Sequence, residues 1–198
     1  RPEIWAGMGG ASAFLFIFGA WSRVSVLLTD SLWALIAAVL AAGLLAVVWF
    51  GHARQAESAT GLAWGLLSAG AAALLVFAAD RRFDHLWLTL VIAALALGFA
   101  VLTVVMRVKL QAMLAVALAT LSTIRLYVAR ELWFDDRSLP LGQHRPLYGY
   151  GVTAILFLAA SRILKTAGHA RAAVSLEGLS LGLVISLLSL EIRVLIGG

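Results

Sequence analysis

The sequence predicts an all-α fold: a polytopic transmembrane helix bundle of about seven spans, partly built from repeated helical hairpins. Seven long apolar stretches fill nearly all of the 198 residues. The chain is 63% hydrophobic and only 13% charged, with a mean hydropathy of +1.00. A soluble domain is near half apolar and a quarter charged, so a water-exposed version of this chain would lack the polar residues to cover its surface. In lipid, the same excess is what outward-facing helix surfaces require.

The predicted spans are residues 4–21, 32–50, 61–79, 86–105, 110–128, 148–163 and 174–196. Most match the roughly 20 residues that a bilayer demands of a helix. The sixth is short before Arg162, which must snorkel to reach water, and a re-entrant segment is the alternative. Aromatic residues mark the span ends independently, because Trp and Tyr favour the headgroup level. Trp5, Trp49 and Trp64 fall at ends on the side holding the N-terminus, side A. Trp21, Trp33, Trp87 and Trp133, with Tyr127, Tyr148 and Tyr150, fall at ends on the opposite side, side B. Basic residues other than Arg125 divide seven to seven between the sides, so they do not orient the chain. Acidic residues lean to side B (Asp30, Asp80, Asp84, Glu131, Asp135, Asp136 and Glu191), which is expected to lie outside the cytoplasm.

A single transmembrane domain, residues 1–198, is expected, with hairpin repeats at about 30–80 and 84–136. The repeat is visible as Asp30-Ser31-Leu32-Trp33 opening the second span and Asp84-His85-Leu86-Trp87 opening the fourth. Each Asp is placed to cap a helix N-terminus, where its oxygen can accept unpaired backbone N–H groups. The chain opens on Arg1 and ends in Gly197-Gly198 straight after an apolar run, and is read as a segment of a longer protein.

Small-residue stripes predict helix packing. Gly61, Gly65, Ala69 and Ala73 recur every four residues in the third span, and Gly178, Gly182 and Ser186 in the seventh, continuing towards Ser189. Such stripes let backbones approach closely, which is how helices associate in lipid.

The net charge of +5 does not point to nucleic acid, since the 15 basic residues are scattered between apolar runs. There are no cysteines, which excludes disulfides and thiolate chemistry. The histidines are isolated, so no metal site is expected, and no cofactor is implied. Charged groups near the hydrocarbon are the informative ones. Arg125, Arg130, Glu131, Glu191 and Arg193 all fall at side B. The longest polar segment, residues 135–146, adds His144 and Arg145 and leads through Tyr148-Gly149-Tyr150-Gly151 into the sixth span. These residues form a candidate layer for an anionic ligand or for interhelical ion pairs, Arg125 with Glu191 for instance. Glu177 lies early in the seventh span with no second mid-membrane carboxylate to form a relay.

The run Tyr148-Gly149-Tyr150-Gly151-Val152, the stretch to Ala160-Ser161-Arg162 and the ending Ser189-Leu190-Glu191-Ile192-Arg193-Val194-Leu195 resemble the DUF2339 family of predicted bacterial membrane proteins. Arg125-Leu126-Tyr127 and the Asp-x-Leu-Trp openings fit the same pattern, most clearly from Asp84 onward. The resemblance implies a longer parent chain and draws attention to Arg125, Tyr148, Tyr150, Glu191 and Arg193, but implies no reaction. The polar loop departs from the family pattern, with Asp135-Asp136 and Leu139-Pro140 in place of an Asn-Pro sequence.

The expected role is a non-enzymatic scaffold or subunit of an envelope-associated assembly in a bacterial inner membrane. It would contact membrane lipids and, through the small-residue faces, a protein partner or the remainder of a longer chain. The alternative is an enzyme or flippase acting on a lipid-linked glycan or anionic lipid at side B. Ion-coupled transport ranks third, because no span carries a mid-membrane proline break.

Overall fold

The computed structural model describes residues 2–24, 29–54, 61–128 and 147–197, and these are helical with short connections. The helices are α1 (Pro2–Val24), α2 (Asp30–Arg54), α3 (Gly61–Arg82), α4 (His85–Met106), α5 (Lys109–Val128), α6 (Thr153–Thr166) and α7 (Ala170–Gly197). A π-helical turn, Leu147–Val152, leads directly into α6. Among the described residues, six helical stretches are long and apolar enough to cross a membrane, and α1 contributes a shorter apolar stretch, Met8–Ser22. With the π turn, the stretch Leu147–Thr166 reaches 20 residues, long enough to cross a membrane.

The distribution of side-chain size fits lipid as solvent. Ala37, Ala41, Ala71, Ala93, Ala96, Ala115, Ala119 and Ala160 are wholly buried. Large apolar residues such as Phe16, Leu35, Met113, Ile155 and Val174 point outward. Small residues inside let helix backbones approach, and large residues outside meet acyl chains at no cost.

The chain forms two compact units, residues 1–84 with 102–114, and residues 85–101 with 115–198. In the first unit α3 packs against both α1 and α2. Its core joins Ile17 of α1, Ala34, Ala37 and Ala41 of α2, and Ala71, Leu74, Phe77 and Ala78 of α3. Glycine sets the α1–α3 distance: a Cβ on Gly70 would lie 2.7 Å from the Gly10 Cα. A smaller cluster of Val48, Met106 and Val108 closes the other end, with Trp64 and Leu110 against it. In the second unit α6 and α7 form the principal helix pair.

Two turns show how the helices are stopped. α4 ends where Arg107 adopts the left-handed conformation (φ 54°), its N–H donating to the Thr103 carbonyl at 2.8 Å. α6 is stopped by the turn at Gly168 (φ 80°). There the His169 N–H donates to the Leu164 carbonyl at 2.9 Å and the Gly168 N–H to the Lys165 carbonyl at 3.1 Å, the bond pair of a Schellman motif.

The hairpin-opening aspartates do not cap as expected. At α2 the Thr29 carbonyl accepts the Leu32 and Trp33 N–H groups, and Asp30 is already the first helical residue. Asp84 does occupy the position before α4, yet its side chain makes no capping bond. The matched tryptophans also differ: Trp33 is buried and Trp87 is 60% exposed. The buried stripe starts at Trp33 in α2 but one residue past Trp87, at Leu88, in α4. On a helix one residue is about 100° of rotation, enough to turn an equivalent side chain from core to lipid.

Candidate functional site

The second unit holds Arg125, Tyr148, Tyr150 and Glu191 of the polar groups singled out in the sequence. Arg125 occupies the last turn of α5, partly buried, and its Nε is enclosed without a hydrogen-bond partner. The next residue but one, Tyr127, stacks edge-on against Tyr150 at 6.2 Å between ring centroids. The Tyr150 hydroxyl donates to the Leu126 carbonyl at 3.3 Å, and its ring is fully buried. Tyr127 and Ser186 of α7 share a hydroxyl–hydroxyl bond of 2.5 Å. Ser186 also donates to the Gly182 carbonyl at 2.9 Å. One turn therefore ties α5, the π turn and α7 together.

The π turn itself is local chemistry of Leu147-Tyr148-Gly149-Tyr150-Gly151-Val152. Widening the helix by one residue per turn re-aims the side chains that follow, a device often found at functional positions. Here it buries Tyr150, leaves Tyr148 exposed, and sets Thr153 inside with its hydroxyl unpartnered.

Not every predicted member of the layer joins it. Arg130, Glu131, His144 and Arg145 lie outside the described residues, as does the Arg193 side chain. Arg125 and Glu191 do not pair; the described ion pairs are those of Arg81. Glu191 is partly buried on α7. No group of histidine and carboxylate side chains able to hold a metal occurs among the described residues.

The packing stripes divide. Gly61 opens α3, and Gly65 packs as expected, since a Cβ there would strike the Leu110 side chain at 2.3 Å. Ser186 faces Tyr127. Gly178 and Gly182 do not face a neighbouring helix among the described residues: a Cβ on either meets nothing within 4 Å. Helical periodicity puts a stripe on one face but does not say which face is covered. The backbone-to-backbone contact of Gly10 with Gly70 is signalled in the sequence only by the Gly9-Gly10 pair in the first apolar run and a single Gly70 in the third.

Two polar arrangements escaped the sequence reading. In the second unit, Ser180 donates to the Ala154 carbonyl at 2.9 Å, Ser161 to Glu177 Oε1 at 2.9 Å, and Ser122 to the Thr89 carbonyl at 3.1 Å. In the first, Arg81 lies over the Trp21 ring at 4.3 Å, with Asp80 at 3.0 Å and Asp30 at 3.9 Å. Trp21 and Trp33 hold enclosed indole N–H groups without partners in the same unit. The signal for the first arrangement was serine inside apolar runs; for the second, side-B arginine near side-B tryptophan.

No family model, curated protein or solved structure matches the chain.

Proposed function

We propose that this chain is a multi-pass scaffold or subunit of an envelope-associated assembly in a bacterial inner membrane, related to the DUF2339 family. The carrying observation is how the second unit uses its buried polar groups. Ser122, Ser180 and Tyr150 each donate to a backbone carbonyl of another helix. Such bonds hold helices in register in lipid.

The partner surface is the α7 face carrying Gly178 and Gly182. It is open to close backbone approach, since a Cβ on either glycine meets nothing within 4 Å. Its occupant is a transmembrane helix of a partner protein. Lipids cover the remaining apolar faces; no nucleic acid is involved.

Gly178→Leu and Gly182→Leu test this cleanly, because the added side chain touches nothing within the chain. The protein is released gently from its own membrane and weighed by native mass spectrometry. The expected result is a polypeptide partner at fixed stoichiometry, lost in either variant while the thermal midpoint is kept. A wild-type protein that carries no polypeptide sinks the scaffold reading.

One observation favours a second reading, an enzyme or flippase handling an anionic lipid or lipid-linked glycan at side B. The enclosed Arg125 Nε lacks an acceptor, and a phosphate oxygen would supply one. A retained phospholipid or polyprenyl phosphate, lost in Arg125→Ala, would establish it.

A further inference from the structure

One face of α6 changes character along its length. Ile155, Leu158, Arg162 and Lys165 recur at intervals of three, four and three residues, which places them on one side of the helix. All four are exposed, whereas Phe157, Ala160, Ser161 and Leu164 are buried on the other side. The exposed side is therefore apolar over its first half and cationic over its last. From Ile155 to Lys165 it runs about 15 Å at about 1.5 Å per residue. That is half of a hydrocarbon core of about 30 Å, the length of one acyl leaflet.

Among the described residues, no carboxylate answers these two cations. The described ion pairs are those of Arg81, and no Asp or Glu stands in the sequence between Arg137 and Glu177. Glu177 itself accepts a hydrogen bond from Ser161 at 2.9 Å, on the buried side of α6. Arg171, exposed in the first turn of α7, adds a third positive charge just past the α6–α7 turn. The negative end of a helix favours a cation in its last turn, which accounts for Lys165 but not for Arg162 three residues earlier. Residues three apart on a helix hold their Cβ atoms about 5–6 Å from one another, so both side chains can reach the oxygens of one phosphate group.

We propose that this face of α6 binds an anionic phospholipid, its phosphate held by Arg162 and Lys165 and an acyl chain lying along Leu158 and Ile155. A zwitterionic phospholipid offers the same chains and phosphate but carries a cation that the two basic residues repel, so the site selects the anionic class. At a membrane surface each basic residue contributes about fivefold in affinity for anionic lipid. The inference rests on the reading of the chain as a membrane protein and not on its role as a scaffold. It uses α6, whereas the partner face is on α7, and it leaves Arg125 of α5 untouched.

The test is native mass spectrometry of the full chain, stripped of lipid in detergent and titrated with phosphatidylglycerol or with phosphatidylcholine of the same acyl chains. The expected result is tighter binding of phosphatidylglycerol. Arg162→Gln with Lys165→Gln should lower that affinity about 25-fold and leave phosphatidylcholine binding unchanged. Both side chains are exposed and without an ion pair among the described residues, so the thermal midpoint should hold. The charge-keeping exchange Arg162→Lys with Lys165→Arg should retain most of the affinity. Arg82→Gln with Lys109→Gln removes the same charge from exposed positions of the first unit and should leave the affinity as it was. Equal affinity for the two lipids, undiminished affinity in the α6 double variant, or an equal loss in the first-unit control overturns the site. So does displacement of phosphatidylglycerol by inorganic phosphate at equal concentration, since the acyl chain would then contribute nothing. Failure to bind either lipid would overturn the site together with the membrane reading on which it rests.

Discussion

Gly70→Ala tests the α1–α3 crossing. The new Cβ would sit 2.7 Å from the Gly10 Cα and 3.0 Å from the Gly10 carbonyl carbon and oxygen. Carbon atoms prefer separations of about 3.5–4.0 Å, so α1 must retreat by about 1 Å. Both opposing groups are backbone, so no side chain can rotate out of the way. A gap of about 0.5–1 Å forfeits a quarter to a half of each contact's dispersion energy, the main attraction between helices in lipid. Overpacking costs about 1–3 kcal/mol. Alanine's better helix propensity offsets up to about 1 kcal/mol of that. The expected net loss is about 1–2 kcal/mol, roughly tenfold in the unfolding equilibrium. Reversible unfolding in mixed micelles with increasing SDS measures it. Gly43→Ala is the control, because its Cβ meets nothing within 4 Å; it should be neutral or slightly stabilising. Gly10→Ala combined with Gly70→Ala should cost less than the two single changes together, since α1 need retreat only once. If Gly70→Ala is as stable as Gly43→Ala, α1 and α3 do not cross at these glycines and the reasoning fails.

Arg107→Gly should raise stability by about 1 kcal/mol, because a non-glycine residue in the left-handed conformation costs about 1–2 kcal/mol. The thermal midpoint in detergent reads this directly, and an unchanged midpoint would argue against the turn as described. Gln111 is fully buried; its Nε2 donates to Ser68 Oγ at 3.3 Å and approaches Met106 Sδ at 3.2 Å, while Oε1 has no partner. Gln111→Leu should therefore be neutral or stabilising by up to about 1 kcal/mol. A loss beyond about 1 kcal/mol would mean that Oε1 accepts a bond in the working protein.

The helices were legible because lipid imposes a single rule on sequence. Every backbone group must be satisfied within its own segment, so long apolar runs become helices whatever their neighbours. The edges of α3, α4 and α5 accordingly fall within a few residues of the expected spans. The sequence placed Tyr150 at the headgroup level, whereas it is fully buried, its inward direction set by the π turn that no periodicity announces.

Which face of each helix meets another was not in the local sequence. The same four-residue spacing of small residues buries Gly65 against Leu110 and leaves Gly178 and Gly182 uncovered. In water, hydrophobicity separates inside from outside; in lipid both are apolar, and only shape and a few polar bonds choose. The Arg125–Glu191 pairing failed for that reason: two charges at one level of the bilayer need not share a helix interface. Composition and span length determined that this is a helical membrane protein. Tertiary packing decided that Gly10 meets Gly70, that Ser161 meets Glu177, and that Arg125 Nε stays unpaired, because each depends on helix rotations that the chain adopts only when the helices are packed together.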